Sequence, residues 1–342
     1  MILVVDRRDC TLRYESGCVR LEHPDEKSRR APIAQLELVV VYGNPLAETA
    51  VWRALANAGV PTVMLPARGP AGEGHGPAVL AGGLATQLPL RRLQHRRAAD
   101  PAGALHLARW IVRHKLLGYD LPLRVLGARH GADPAACAGF RQRRDQALIA
   151  LAATATQDET LGVEGQVAHA WFGLLARSLN PAWRFSGRNR RPPLDPVNAL
   201  LSLGYTLVGG EVHQGVMALG LDPSLGFLHQ PVPGRESMVL DLTEVFRGGV
   251  DHFVLSWIDP AGPDQADYYY RDEEGCRLSK AARPRFYGAW GRTRTAWPYP
   301  LGADADAHDA WPVGPLREQV HGWIERLRAE LKAMAPPLES PD

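Results

Sequence analysis

Near residue 95 the hydrophobic pattern of this 342-residue chain changes period, and that change constrains the fold more than any other feature. Upstream, apolar residues come in short β-branched runs. MILVV (1–5) is one, CTLRYESGCVRLEH (10–23) alternates about an ESG turn like a hairpin, and IAQLELVVVYG (33–43) ends at Gly43-Asn44. PLAETAVWRALANAG (45–59) has helical spacing with a glycine stop, and PTVMLP (61–66) is a strand again, so a strand–helix–strand unit follows the hairpin. Downstream, apolar residues recur every three or four positions in GALHLARWIVRHKLLG, RQRRDQALIALAATA, ETLGVEGQVAHAWFGLLARSL, DPVNALLSLGYTLV, the region after MVLD, and VHGWIERLRAELKAM. The expected fold class is α+β: a small β-rich N-terminal domain over residues 1–90, then a larger all-α domain over 91–342. The two meet near the basic RRLQHRRAADP segment (91–101).

Two domains also suit the length, at roughly 150 residues each. With 45% hydrophobic and 22% charged residues the composition is that of a globular chain, and a net charge of +2 excludes a uniformly polybasic nucleic-acid binder. The four cysteines (Cys10, Cys18, Cys137, Cys276) form no Cys-x-x-Cys pair, which argues against structural zinc and a disulfide scaffold. MILVVDRRD is not a signal peptide, and no run approaches the ~20 apolar residues of a membrane span. A soluble, reduced, cytoplasmic protein is expected. The glycine-rich ARGPAGEGHGPAVLAGG (67–83) lacks both the Gly-Lys-Ser/Thr ending of a P-loop and a Rossmann fingerprint, so a mobile loop is expected there.

Acids placed among apolar residues mark the candidate chemistry. Glu164 shares a helical stripe with Val167, Ala168 and Trp171, where an unpaired carboxylate is costly. That implies a cation, another partner or a carboxyl kept neutral, and pairing with one of the many arginines is the plainer explanation. In GFLHQPVPGRESMVLDLTEVFR (226–247), Asp241 and Glu244 stand at i and i+3 on an apolar helix, and His229 precedes a PVPG turn that can fold it back towards them. One imidazole with two or three carboxylates suits Mg²⁺ or Mn²⁺ better than zinc; a solvated acidic face and a structural histidine are the plainer explanation of the same spacing.

Basic residues bear on what such a metal acts on. Between Glu164 and Asp195 no acid occurs, while Arg184, Arg188, Arg190 and Arg191 gather around Trp183 and Phe185. Between Glu274 and Asp304 the same holds for Lys280, Arg283 and Arg285 among Phe286, Tyr287 and Trp290. Acid-free basic tracts fit contacts to a phosphate backbone, and equally arginines lying over a helical surface. Asp195 and Pro196 open a helix on which Asn198, Ser202 and Tyr205 form a polar ridge, able to support the site, to position DNA, or to bond to another helix.

Several segments in order resemble the CRISPR-associated integrase family, the adaptation protein "Cas one". They are GNPLAETAVWRALANAGVPTVMLPARG, LARWIVRHKL, GVEGQVAHAWF, PPLDPVNALLSLGYTLV, LGFLHQ and MVLDLTEVFR. The resemblance implies a DNA integrase and endonuclease of CRISPR antiviral defence. It implies Glu164, His229 and Glu244 as ligands of Mg²⁺ or Mn²⁺, with Asp241 beside them; the family often has Asp where this chain has Glu244. It further implies homodimers joined through the β-domains, prespacer and leader–repeat DNA as substrates, and a small partner, "Cas two".

Overall fold

The computed structural model describes residues 1–6, 9–65, 78–80, 88–189, 192–271, 275–298 and 313–333. Its N-terminal strands are β1 (Ile2–Val5), β2 (Thr11–Glu15), β3 (Cys18–His23), β4 (Glu26–Pro32), β5 (Leu38–Tyr42), β6 (Leu46–Ala47), β7 (Thr62–Leu65) and β8 (Ala78–Leu80), with helix α1 (Thr49–Asn57) between β6 and β7. One sheet has the order β1-β5-β7-β8, its first three strands parallel and β8 antiparallel. The other has the order β4-β3-β2-β6. The expected hairpin is β2–β3, and its Ser16-Gly17 turn has positive φ at both residues (47° and 77°), the primed geometry that matches strand twist.

Strand β5 explains why LVVVY reads as a continuous apolar run. Side chains alternate across a strand, so Val39 and Val41 pack with Val5, Leu12, Val51 and Leu55 on one face. Leu38 and Val40 go to the other face, with Val63, and join the core of the helical part. A parallel strand covered on both faces has no polar side to show. In the glycine-rich segment, 67–77 and 81–83 lie outside the described residues, but Ala78–Leu80 is strand β8 where a loop was expected.

The helical part comprises α2 (Leu88–Ala99), α3 (Pro101–Leu117), α4 (Asp120–His130), α5 (Pro134–Ala153), α6 (Gln157–Ser178), α7 (Pro196–Ala218), α8 (Ser237–Trp257), α9 (Arg283–Thr295) and α10 (Leu316–Ala333). It is mostly helical rather than all-α, because β9 (Tyr268–Arg271) pairs with β10 (Gly275–Leu278) and β11 (Trp297–Pro298) with β12 (Val313–Gly314). The basic segment at the expected boundary is helix α2. Three helices start with Asp-Pro, where Asp100, Asp133 and Asp195 each accept a backbone N–H and proline takes the first helical position.

The long helices α7 and α8 lie at the centre, buried over most of their length. Gly248 of α8 meets the backbone at Gly118, just past α3, so closely that a Cβ there would collide with the Gly118 carbonyl. That approach sets the last turn of α3 against α8. Tyr42 of β5 shares a hydroxyl–hydroxyl bond with Tyr287 of α9, tying sheet to helices. No described helix is long and apolar enough to cross a membrane, and none of the four cysteines is in a disulfide.

Candidate active site

The loop before α8 is organised by one carboxylate. Asp241 has no exposed surface. Its Oδ2 accepts the backbone N–H of Phe227 (2.6 Å) and of Leu228 (2.9 Å), and its Oδ1 accepts the N–H of His229 (3.0 Å). The imidazole Nδ1 of His229 donates to the same Oδ1 at 2.7 Å. This fixes the tautomer: Nδ1 carries the proton, and Nε2 presents a lone pair away from Asp241. The carboxylate fills the space beside Gly226, where a Cβ would strike Oδ2. Gln157 at the start of α6 donates to the Phe227 carbonyl (2.5 Å) and accepts from Gln230 (2.9 Å), so the loop is also pinned to the helix that carries Glu164.

A second cluster joins three helices. Lys115 of α3 donates to both Glu164 of α6 and Glu244 of α8. Glu244 also pairs with Arg247 one turn on, at 2.8 Å. Burial alone would raise the Glu244 pKa, but the charges of Arg247 and Lys115 override it and hold it at about 2. Glu244 is therefore a carboxylate at any physiological pH. The Arg247 guanidinium lies 4.5 Å from the centre of the Tyr205 ring. The Tyr205 hydroxyl donates to buried Asp251, which also accepts from the Trp171 indole at 2.8 Å.

Comparison with known proteins bears on what this arrangement is. The family described as CRISPR associated protein Cas1 matches residues 3–292. The chain belongs to the Cas1 family. A curated Cas1 relative, the CRISPR-associated endonuclease Cas1 3 of Thermus thermophilus, is 33% identical over 311 residues, 88% of this chain and 87% of that protein. Among solved structures, a casposase bound to an integration product superposes with a TM-score of 0.78 at 18% identity, covering 100% of this chain and 96% of that one. A Cas6-RT-Cas1–Cas2 complex gives 0.73 at 19% identity, covering 97% of this chain and 35% of that one. At these identities the structural likeness speaks for the fold.

The Cas1 family implies a divalent metal, and the donor chemistry here fits one. Two carboxylates turn to a single cation, and Asp241 holds the His229 imidazole with Nε2 directed away from itself. Among the described residues no three His, Cys, Asp or Glu side chains are drawn together as tightly as a bound ion draws its ligands. The position between the two glutamates belongs to the Lys115 ammonium.

The residues expected to meet DNA divide into groups. Arg188 is held by the polar ridge, its guanidinium donating to Asn198 Oδ1 (2.8 Å) and Ser202 Oγ (3.0 Å) and lying 5.6 Å from the Tyr205 ring centre. Asn198 and Tyr205 are buried, so they support Arg188 and Asp251 and do not offer themselves to a ligand. Arg184, Lys280 and Arg285 are exposed, with Arg285 paired to Asp267. Arg283 is a correction: it is 5% exposed, stacked 3.9 Å over Tyr42 and beside Asp6, and it packs the sheet against α9. Arg190 and Arg191 lie outside the described residues.

Sequence reasoning passed over Lys115, Arg247, Asp251 and Trp171. A signal existed for two of them. Lys115 is a lone lysine on the apolar stripe of LARWIVRHKLLG, four residues after Ile111, in a chain whose other cations are nearly all arginine. Arg247 continues the Asp241, Glu244 spacing by three more residues, a cation on the face of the acids.

Proposed function

We propose that the chain is a metal-dependent DNA integrase and endonuclease of CRISPR adaptation. The observation that carries this reading is the convergence of Glu164 and Glu244 from separate helices on one cation position, beside an imidazole whose Nε2 is aimed by Asp241. Glu164, Glu244 and His229 would hold Mg²⁺ or Mn²⁺. When bound, the ion supplies Lewis-acid stabilisation of the charge that develops on the attacked phosphate.

The rest of the chemistry falls to the chain itself. Asp241 accepts from four donors and so fixes both the ring angle and the tautomer of His229. Arg247 holds Glu244 ionised. Arg188, rigidly supported and close to Tyr205, supplies a guanidinium for a non-bridging phosphate oxygen, and exposed Arg184 and Lys280 add attraction for the strand. Alignment of a 3′-hydroxyl with the scissile phosphodiester provides much of the rate. One P–O bond forms as another breaks, so the transfer needs no nucleotide hydrolysis. With water as nucleophile the same site cleaves DNA, which agrees with the name of the Thermus thermophilus relative.

The likeness to a casposase holding an integration product and to a Cas1–Cas2 assembly supports DNA and a Cas2 protein as partners. We take the working unit to be a homodimer formed through the N-terminal sheets. The test is half-site integration of a short duplex into a leader–repeat target with Mn²⁺ or Mg²⁺, comparing the chain with His229→Ala. Joined product that disappears in the variant supports the proposal. Cleavage without joining leaves a nuclease, and DNA binding with no metal-dependent reaction leaves a scaffold. Full joining by the variant overturns the assignment of His229.

A further inference from the structure

The cation position between Glu164 and Glu244 has an occupant of its own. The Lys115 side chain is 7% exposed, and its ammonium contacts both carboxylates. A buried lysine normally loses its proton or finds a carboxylate, and this one finds two. Together with Arg247, two carboxylates face two cations, so the cradle is balanced without any ion. Helix α3 arrives at this depth through the Gly118–Gly248 approach.

We propose that Lys115 is a resident cation: it keeps Glu164 and Glu244 in register while no divalent ion is present, and a divalent ion enters by exchange with its ammonium. The inference rests on the metal reading above. An ion held by the same oxygens would stand in contact range of the ammonium, with Arg247 already paired to Glu244, and like charges so placed do not share a site. Lysine suits exchange because its charge is a point at the end of a flexible four-carbon stem. Glu164 is the partly exposed member of the pair, at 17% against 6% for Glu244, so the cradle opens to solvent on the Glu164 side.

Exchange predicts opposite changes in two quantities. Lys115→Met keeps the stem and removes the charge. Without a divalent ion, Glu164 and Glu244 then repel, and the melting temperature in EDTA falls. Mn²⁺ no longer competes with an ammonium and binds about tenfold tighter or more, the size of effect a single neighbouring charge has on an ionic equilibrium. A lysine that serves only as a structural pin would lower stability and leave affinity alone, and one that assists the ion would lower both.

The measurement is calorimetric titration of Mn²⁺ into the full chain, Lys115→Met and Glu164→Gln, with melting in EDTA alongside. Should Lys115→Met fail to fold, the native chain still answers. It has four lysines (Lys27, Lys115, Lys280, Lys332), so ε-¹³C-lysine spectra hold four signals. Titration with Mg²⁺ then shifts the one buried lysine if its ammonium is displaced. Unchanged or weaker Mn²⁺ affinity in Lys115→Met, or four lysine signals indifferent to Mg²⁺ that binds, overturns the exchange and leaves the metal site standing. A native chain that takes up neither ion removes the metal reading and the exchange with it.

Discussion

Asp241→Asn separates the carboxylate's charge from its shape. The native side chain accepts four donors, two on each oxygen, in a site with no solvent access. Asparagine keeps one oxygen, and its NH₂ faces two of those donors, so two bonds are lost whichever way the amide turns. A hydrogen bond to a charged group contributes about 1.5–3 kcal/mol, so the loss is about 3–6 kcal/mol. For a helical part of this size that corresponds to a fall in melting temperature on the order of 10 °C. Scanning fluorimetry in EDTA and in Mg²⁺ reads the stability, and the half-site assay at 25 °C reads the chemistry. Joining is lost along with the melting temperature, because Nδ1 no longer has a guaranteed acceptor and Nε2 loses its aim. His229→Ala provides the contrast: its side chain is 26% exposed and makes one of the four bonds, so stability changes much less while joining still disappears. A native melting temperature and native joining in Asp241→Asn would refute the claim that this carboxylate shapes the loop.

Two further outcomes follow from other parts of the molecule. Arg188→Ala weakens DNA binding and lowers the salt slope of the affinity by about one, whereas Arg283→Ala lowers the melting temperature and leaves the slope unchanged; equal slopes for Arg188→Ala and the native chain would remove its phosphate contact. His114 lies between the Trp110 and Trp323 rings, and burial lowers its pKa from 6.5 to about 4. The unfolded chain takes up this proton first, so the stability is fully present above pH 6.5 and is lost as pH falls towards 4, by about 3 kcal/mol for this one group. Urea denaturation from pH 7.5 to 4.5 shows a shallower decline for His114→Phe than for the native chain, and parallel profiles would refute the burial argument.

What was legible in the sequence was periodic or local. The run LVVVY, the Ser16-Gly17 turn and the Asp-Pro helix starts each state a backbone preference within a few residues. Helical spacing likewise put Asp241 and Glu244 on one face and Glu164 on an apolar stripe. Strand β4 was missed because EKSRRAP is a charged edge strand that pairs on one side only and shows no alternation. The acid-free tracts misled for a different reason. Arg283 and Arg294 have no acid near them in sequence, yet Arg283 meets Asp6, and Arg294 meets Glu211 and Glu37, on elements that only the fold brings near. Lys115 escaped notice for the same cause: its partners are 49 and 129 residues away.

The two acids one turn apart on α8 end in different roles because of where they stand and how far they reach. Asp241 is in the first turns of the helix, and its short side chain lies beside Gly226, within reach of the backbone N–H groups of residues 227–229. Four donors leave it no lone pair directed at the cluster of Glu164 and Lys115. Glu244 is one methylene longer and one turn deeper, past the loop, and it reaches across to α3 where Gly248 lets that helix come close. The loop consumes the first carboxylate to aim an imidazole, and the helix crossing presents the second to a cation. The spacing that made them look like a pair of ligands on a shared face thus serves two layers of the site, Asp241 holding His229 and Glu244 holding Lys115.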